Sequence, residues 1–253
     1  MTRKDTTPHV AIIGGTGLTR LNELEISRRE VVYTPYGEPS GPITHGELAG
    51  RKAVFLARHG YGHTIPPHRV NYRANMWALK SIGVTRVVAV ASVGGIRSDL
   101  QPGRLAIPHQ IVDYTTERAS TYFDEQRVVH VDFTEPYDAE LRRLLLAAAG
   151  RANLDVAPDG VYGATQGPRL ETAAEIDRFE RDGCDMVGMT GMPEAVLARE
   201  LEVPYASCAV VANWAAGRGP GGGIHAEIRE NLERGISQAR SLLEALLPLL
   251  PEA

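Results

Sequence analysis

The amino-acid sequence predicts an α/β protein with a single hydrophobic core. Short apolar runs typical of strands alternate along the chain with segments whose apolar residues have helical spacing. Several of these runs end in glycine-rich or polar residues, the pattern of open α/β sheets that hold ligands at their strand ends. Because the chain has 253 residues and is 43% hydrophobic, it can bury a substantial core as one domain. We expect this domain to span residues 1–253, with the charged and polar residues 1–9 disordered.

Residues 161–213 show the alternation most clearly, as strand, helix, strand, helix and strand. Residues 172–175, Thr-Ala-Ala-Glu, form a capping-box sequence, which predicts that the first helix starts near Thr172 and ends near Gly183. This order of elements predicts a parallel sheet whose strands deliver polar side chains to one edge. These side chains are Glu171, Thr190 and Asn213.

Each of the three positions has its own local setting. Glu171 stands just before a helix start, where a carboxylate is common for purely structural reasons because the helix dipole favours it. Thr190 follows a short apolar strand and precedes a helix that Pro193 opens, a place suited to an anion. Asn213 comes directly after the apolar strand predicted for residues 205–212.

Composition and charge narrow the classes of function. Lysine and arginine number 27 against 31 acidic residues, and the net charge of −4 gives no reason to expect a nucleic-acid or membrane surface. Cys184 and Cys208 are the two cysteines, without C-x-x-C spacing, which fits a reducing compartment. The chain starts without an apolar signal segment, and no apolar run is long enough to cross a bilayer. We therefore expect a cytoplasmic protein.

A glycine-rich turn follows the first apolar run, residues 10–13. The glycines of residues 14–17, Gly-Gly-Thr-Gly, let backbone amides approach a ligand closely. The turn is not a dinucleotide fingerprint, because Arg20 stands in place of the third glycine and no clear acidic ribose ligand follows. It also lacks the Gly-Lys-Ser/Thr ending of a P-loop. A tight strand-to-loop turn and a phosphate site both remain open for it.

Two further strand ends carry groups suited to an anion. Arg58 and His59 follow the predicted strand Arg51–Ala57, and a guanidinium can bind phosphate through two parallel hydrogen bonds. His59 can add a further donor. Residues 91–95, Ala-Ser-Val-Gly-Gly, form a second glycine-rich turn, in which Ser92 and nearby amides complete an anion cradle.

Three histidines, His59, His63 and His68, lie close together in the sequence. Their spacing is irregular and falls on a predicted loop, without the H-E-x-x-H pattern of a helical zinc site. We therefore expect no metal site.

Two segments depart from the regular pattern. Residues 121–138, which include His130, carry aromatic and acidic residues without a clear period, so we expect an excursion from the sheet that meets another subunit. Residues 216–223 are rich in glycine, which suits either a lid over a ligand or a plain linker. The chain then ends in a helix whose apolar face extends from Ile228 to Leu246.

Five short motifs occur in the same order as in a known family. They are residues 12–18 (Ile-Ile-Gly-Gly-Thr-Gly-Leu), 57–60 (Ala-Arg-His-Gly), 70–75 (Val-Asn-Tyr-Arg-Ala-Asn), 167–172 (Gly-Pro-Arg-Leu-Glu-Thr) and 188–194 (Gly-Met-Thr-Gly-Met-Pro-Glu). Together they resemble the trimeric purine nucleoside phosphorylases, in particular the methylthioadenosine and methylthioinosine phosphorylase branch. Each motif alone is weak, but five in order across nearly the whole chain are specific. The resemblance implies a single α/β nucleoside phosphorylase domain with a mixed, twisted central sheet flanked by helices.

The resemblance also implies phosphorolysis, in which inorganic phosphate attacks C1′ of a purine nucleoside and releases the base and ribose 1-phosphate. The residues implied to hold phosphate are Thr16, Arg58, His59, Ser92 and Thr190. Met189 would pack under the ribose, and Glu171 and Asn213 would be the catalytic pair that contacts the base. His130 would reach the site of a neighbouring subunit in a homotrimer. Phosphate is the co-substrate, and the resemblance implies no metal or organic cofactor.

Position 213 bears on the choice of base. Members of the family that take 6-aminopurines carry aspartate there, whereas the amide of Asn213 can donate to N7 and O6 of a 6-oxopurine while Glu171 accepts from N1–H. This arrangement favours hypoxanthine or guanine over adenine. Ala91 stands where the adenosine branch has threonine, which removes one hydroxyl from the implied phosphate cradle. His225 lies where the methylthio branch tends to have an apolar residue and where inosine-cleaving relatives place a histidine for the 5′-hydroxyl; the alternative is an exposed residue near the start of the last helix. The 5′ substituent of the sugar therefore stays open.

We expect the chain to convert 5′-methylthioinosine and phosphate to hypoxanthine and 5-methylthioribose 1-phosphate in purine salvage. Inosine or guanosine phosphorylase and methylthioadenosine phosphorylase are the alternatives. A nucleosidase that uses water would share the base contacts but would not need a phosphate cradle. A non-catalytic purine-binding module would leave the pairing of base contacts with an anion cradle unexplained.

Overall fold

A computed structural model of the chain describes residues 10–18, 21, 23–124, 127–219 and 224–251, and of residues 224–230 the backbone alone. Within this part, eleven strands join one sheet and five helices pack against it. The strands are β1 (Val10–Gly14), β2 (Glu25–Glu30), β3 (Ile43–Leu48), β4 (Arg51–Ala57), β5 (Val87–Gly95), β6 (Leu105–Ala106), β7 (Gln110–Asp113), β8 (Val156–Ala157), β9 (Val161–Ala164), β10 (Met186–Gly188) and β11 (Tyr205–Trp214). The helices are α1 (Tyr72–Ser81), α2 (Ala139–Arg151), α3 (Ala173–Arg181), α4 (Gly191–Glu200) and α5 (Ile224–Leu246).

Strand β5 is the centre of the sheet. The main path of paired strands is β2-β3-β4-β1-β5-β10-β9-β7, and β11 pairs with β5 as well as with β6, which in turn pairs with β8. Strands β1, β4, β5 and β11 form parallel pairs, whereas β10 is antiparallel to β5. The predicted α/β class with a mixed central sheet is therefore confirmed.

Three details differ from the sequence prediction. Residues 91–95 are not a turn, because β5 continues through Gly95 with β11 paired along one side and β10 along the other. Asn213 lies inside β11, next to a register shift in its pairing with β5, rather than after the strand. Residues 161–213 do not form one parallel unit: β9 and β10 are parallel neighbours, but β5 separates β10 from β11.

The predicted helix signals are present in the structure. The Thr172 hydroxyl accepts from the amide of Glu175 at 3.1 Å, and the Glu175 carboxylate accepts from the amide of Thr172 at 2.7 Å, so the capping box is formed. Gly183 follows α3 with φ +88°, a left-handed conformation that glycine adopts without strain. The described residues of 114–138 form no helix or strand, as expected for an excursion from the sheet.

Two hydrophobic layers cover the two faces of the sheet. Alternate residues of β1 and β5 belong to different layers, one packed against α1 and α4 and the other against α2 and α5. The second layer buries Leu242, Leu243 and Leu246 of α5 completely. Among the described residues, no helix is both long enough and apolar enough to cross a membrane.

We expect Leu243→Ala to lower the free energy of unfolding by about 2–5 kcal/mol, because it leaves a cavity in a fully buried layer. Chemical denaturation at fixed protein concentration measures this change. The matched control is Glu244→Ala at the adjacent exposed position, where the effect should stay within about 0.5 kcal/mol. Equal losses in the two variants would contradict this assignment of the buried face of α5.

Candidate active site

One cavity, with a volume of about 590 Å³, contains most of the predicted site. It lies where β1, β4 and β5 end and where the connections after β9, β10 and β11 begin. The predicted residues that line it are Thr16, Arg58, His59, Ser92, Glu171, Met189, Thr190 and Asn213. The structure thus brings the anion-binding candidates and the base-binding candidates into a single space.

Two predicted site residues, His130 and His225, are not among the described residues that line the cavity. His130 is exposed in the excursion and does not line the cavity of its own chain. The backbone of His225 lies in α5, but its side chain is outside the described residues. Residues 220–223 of the glycine-rich segment also lie outside them. The proposed roles of both histidines therefore stay predictions.

Strand pairing places the first glycine-rich turn beside Arg58. Gly14 is paired with Ala57 at the ends of β1 and β4, so Gly15 and Arg58 follow as neighbours. A Cβ atom on Gly15 would lie 2.7 Å from the Val90 carbonyl oxygen and 3.0 Å from Nη1 of Arg58. A residue with a side chain would therefore clash at position 15. Gly15 is required so that the Arg58 guanidinium can pack against the backbone that follows β1 and against that of β5.

Arg58 is buried and already paired with a carboxylate. Its Nε and Nη2 donate to the two oxygens of Glu194 at 2.7 and 2.8 Å, and its Nη1 donates to the Val90 carbonyl at 3.1 Å. Glu194 is completely buried and also accepts from the Tyr205 hydroxyl at 2.8 Å. Burial alone would lower the pKa of Arg58, but the charge and hydrogen bonds of Glu194 raise it above its ordinary value. No local feature of the sequence indicates this role of Glu194.

The pairing determines which edge of the guanidinium can bind an anion. The edge formed by Nε and Nη2 is occupied by Glu194, and one further N–H is used by a backbone carbonyl. A guanidinium has five N–H donors. One N–H on each of Nη1 and Nη2 remains, and these two are the donors that Arg58 has left for an anion. The predicted contact of Arg58 with an anion is thus restricted to Nη1 and Nη2.

His59 differs from the expected donor. Its Nδ1 lies 2.8 Å from the carbonyl oxygen of Ile65. A carbonyl oxygen accepts hydrogen bonds and cannot donate them, so Nδ1 carries the proton. Burial, the nearby charge of Arg58 and the ring of His63 lower the pKa of His59 to about 4, against a smaller opposing effect of the Ile65 carbonyl. The imidazole is therefore neutral at pH 7, and its Nε2 is an acceptor.

Thr190 stands at the start of α4, as predicted. The residue is buried, and its hydroxyl does not cap the helix, although threonine at this position usually does. Met192 has extended φ and ψ angles of −117° and 141°, so the regular part of the helix begins at Pro193. The Thr190 hydroxyl is thus not committed to the helix and lines the cavity together with Thr16 and Ser92.

At the other end of the cavity, two polar side chains are held in place by neighbours. The Thr165 hydroxyl donates to Oε1 of Glu171 at 2.5 Å. Nδ2 of Asn213 donates to the carbonyl oxygen of Trp214 at 2.6 Å, which fixes the orientation of the amide because a carbonyl must face the nitrogen. One amide N–H of Asn213 therefore remains for a ligand, where the sequence reading expected two donations.

Arg118 is a second residue near the site that the sequence does not indicate. This half-buried side chain comes from the excursion and donates to the carbonyl oxygens of Met189, Met192 and Gln166 at 2.6 to 2.8 Å, with a longer bond to Thr165 at 3.2 Å. It joins the connection after β9 to the connection after β10. A lone arginine in an irregular segment gives no sequence signal for such a role.

The described part of the chain contains no group of three or more histidine, cysteine, aspartate or glutamate residues arranged to hold a metal ion. The ionisable residues in the described cavity wall are Arg58, His59, His63 and Glu171. An anion in this cavity would therefore meet one guanidinium, whose charge Glu194 already balances.

We expect Glu194→Gln to lower the free energy of unfolding by about 3–5 kcal/mol, because it leaves the buried charge of Arg58 without its counter-charge. Chemical denaturation at fixed protein concentration tests this. Glu200→Gln is the control on the same helix, since the Glu200 carboxylate accepts from the Thr121 hydroxyl and the Tyr122 amide and should be less sensitive to loss of charge.

The double variant Arg58→Met with Glu194→Leu removes both charges. We expect it to recover most of the stability lost in Glu194→Gln, and to bind no anion because the guanidinium is gone. A Glu194→Gln variant as stable as the unmodified protein would show that the carboxylate is not needed to keep Arg58 buried.

Comparison with known proteins agrees with the resemblance of the five motifs. The sequence profile of the phosphorylase superfamily matches residues 9–248. A probable S-methyl-5′-thioinosine phosphorylase of Pseudomonas syringae pv. tomato is 52% identical over 239 residues, covering 94% of this chain and 97% of the relative. The 6-oxopurine nucleoside phosphorylase of Pyrococcus furiosus is 45% identical over 252 residues, covering 97% of this chain and 94% of that one.

The fold is similar to solved structures as well. Methylthioadenosine phosphorylase from Schistosoma mansoni in complex with adenine is 31% identical, with a TM-score of 0.90 over 96% of this chain and 91% of the other. Because the family profile spans nearly the whole sequence and the relatives match over nearly their full lengths, this protein belongs to the phosphorylase superfamily.

Proposed function

We propose that this protein catalyses the phosphorolysis of a 6-oxopurine nucleoside, with S-methyl-5′-thioinosine as the preferred substrate. The products are hypoxanthine and S-methyl-5-thioribose 1-phosphate. The observation that carries the proposal is the single cavity that Arg58, Ser92 and Thr190 share with Glu171 and Asn213. The name of the 52% identical relative supports the same substrate.

The reaction forms a bond between a phosphate oxygen and C1′ while the bond between C1′ and N9 breaks, and its electron pair goes to the purine. Positive charge develops on the sugar and negative charge on the base. The remaining N–H groups of Arg58 and the hydroxyls of Ser92 and Thr190 hold the phosphate next to C1′, which converts a bimolecular encounter into an oriented attack. The remaining amide N–H of Asn213 donates to the base as its negative charge grows.

Contacts with the base favour a 6-oxopurine. Thr165 occupies one oxygen of Glu171, and the second oxygen accepts from N1–H of hypoxanthine. N1 of adenine carries no hydrogen and would place a lone pair against this carboxylate, which costs affinity because neither group is then satisfied. The amide N–H of Asn213 reaches N7 or O6 on the other edge of the ring.

The 5′ substituent contacts a different part of the wall. Ile65, Pro66 and Pro67 present apolar surface to the cavity, which suits a methylthio group better than a hydroxyl. Inosine or guanosine is the second candidate, because the 45% identical relative is named a 6-oxopurine nucleoside phosphorylase. Methylthioadenosine is the third, in line with the similar solved structures.

We further propose that the working form is a cytoplasmic homotrimer that needs phosphate as co-substrate and no other cofactor. Exposure of His130 outside the cavity of its own chain supports a role toward a neighbouring subunit. Light scattering of the purified protein, with the mass of three chains as the expected result, tests the assembly.

The function is tested by following base release from S-methyl-5′-thioinosine, inosine, guanosine and methylthioadenosine, with and without phosphate. We expect rapid, phosphate-dependent release of hypoxanthine from S-methyl-5′-thioinosine and little release of adenine. Release without phosphate would indicate a nucleosidase. Purine binding without turnover would indicate a non-catalytic module.

Asn213→Asp should shift the ratio of kcat/KM for 6-aminopurine over 6-oxopurine nucleosides by about tenfold or more toward the 6-aminopurine. The aspartate can be protonated toward N7 and no longer presents an amide to a 6-oxo group. The control is Asn153→Asp at an exposed position away from the cavity, which should leave the ratio unchanged. An unaltered ratio in Asn213→Asp would contradict the assigned role.

A further inference from the structure

We infer that His59 recognises the proton of the bound phosphate, by accepting a hydrogen bond from a P–O–H group at Nε2, and that it thereby distinguishes phosphate from sulfate. The inference rests on the proposed function, since it specifies the anion that the phosphorolysis site takes. It makes His59 a specificity-determining residue rather than one more donor to a negative charge.

The direction of the hydrogen bond follows from the other side of the ring. Nδ1 is 2.8 Å from the Ile65 carbonyl oxygen, an atom that accepts only, so Nδ1 is the donor. A neutral imidazole has one donor and one acceptor nitrogen, and Nε2 must be the acceptor. His59 keeps this arrangement because it is 6% exposed and its loop is held in place by further bonds from the amides of Thr64 and Ile65 to the His59 carbonyl.

Nε2 is open to the cavity. Within the described part of the chain Nε2 has no hydrogen-bond partner. It is not one of the fully buried polar atoms that lack a partner, so a ligand can reach it. The ring lines the same wall as Arg58, Ser92 and Thr190. A ligand group that fills the anion position therefore meets a lone pair at His59, and the matching group is a hydroxyl.

Among the groups of the protein itself, the charges around the ring oppose its conversion to a second donor. Arg58 is the adjacent residue, and both it and His63 lower the pKa of His59, as does burial. The ring of His63 lies 4.9 Å from that of His59, centroid to centroid. Protonation of Nε2 would place a second positive charge beside the buried guanidinium of Arg58, which Glu194 already balances.

Phosphate and sulfate differ in whether they carry a proton that Nε2 of His59 can accept in a hydrogen bond. At neutral pH both are tetrahedral anions, but phosphate always carries at least one proton and sulfate carries none. Phosphate can therefore satisfy Nε2 with its P–O–H group and turn its unprotonated oxygens to Arg58 and the hydroxyls. Sulfate would place an oxygen lone pair against the lone pair of Nε2.

The test compares the two anions as ligands of the intact protein. Isothermal titration calorimetry with sodium phosphate and sodium sulfate at constant ionic strength gives both dissociation constants, and sulfate inhibition competitive with phosphate gives the same ratio during turnover. We expect sulfate to bind at least about tenfold more weakly, the size of effect produced by one unpaired buried polar group. Equal affinities would overturn the inference.

Two variants separate recognition from general damage to the site. In His59→Gln the side-chain amide can present oxygen to phosphate or nitrogen to sulfate, so the ratio of the two dissociation constants should fall to within about twofold. His109→Gln makes the same substitution at a histidine that does not line the cavity, and it should leave the ratio as it is in the unmodified protein. A ratio that stays the same in His59→Gln, or that changes equally in His109→Gln, would overturn the assignment.

Nitrogen-15 NMR of protein labelled at histidine gives a direct readout in the phosphate complex. We expect the His59 signals of a neutral ring with its proton on Nδ1, whereas a doubly protonated ring would overturn the inference even if phosphorolysis is fast. Failure of the unmodified protein to bind phosphate would instead refute the proposed function and this inference with it. Active enzyme with equal sulfate and phosphate affinity refutes the inference alone.

Discussion

The site depends on the buried ion pair between Arg58 and Glu194. Neither charge could be buried alone, because desolvation of an isolated ion costs several kcal/mol that a single well-placed partner offsets. The pair joins the end of β4 to α4 across 136 residues of sequence. It also fixes the distance between the guanidinium and Thr190, which begins the same helix. The position proposed for the anion is therefore defined by a contact that lies inside the protein and not by the anion itself.

The two ends of the cavity are built in the same way, by side chains already bonded to a neighbour. Glu171 is oriented by Thr165, and Asn213 is oriented by the Trp214 carbonyl. Glu171 then keeps its second oxygen for a ligand, and Asn213 keeps one amide N–H and its carbonyl oxygen. Such preorganisation lowers the reorganisation needed during reaction and sharpens discrimination, because a ligand with the wrong donor or acceptor leaves a fixed group unpaired.

The sequence predicted those features that have local causes. The capping box at Thr172, the helix start at Pro193 and the α/β class follow from residues close together in the chain, and the structure contains all of them. Features set by distant partners were not predictable. Glu194 gives no local sign of its contact with Arg58, and the tautomer of His59 depends on a carbonyl of the following loop. Likewise β5 extends through its glycines because β10 and β11 pair with them.

Arg118 has a consequence for how the molecule deforms. One guanidinium holds the carbonyl oxygens of Gln166 and Met189, which belong to the two connections that carry Glu171 and Thr190. A displacement of the irregular segment that contains Arg118 would thus be transmitted to both connections at once. The base contact proposed for Glu171 and the anion contact proposed for Thr190 would then lose or regain their alignment together.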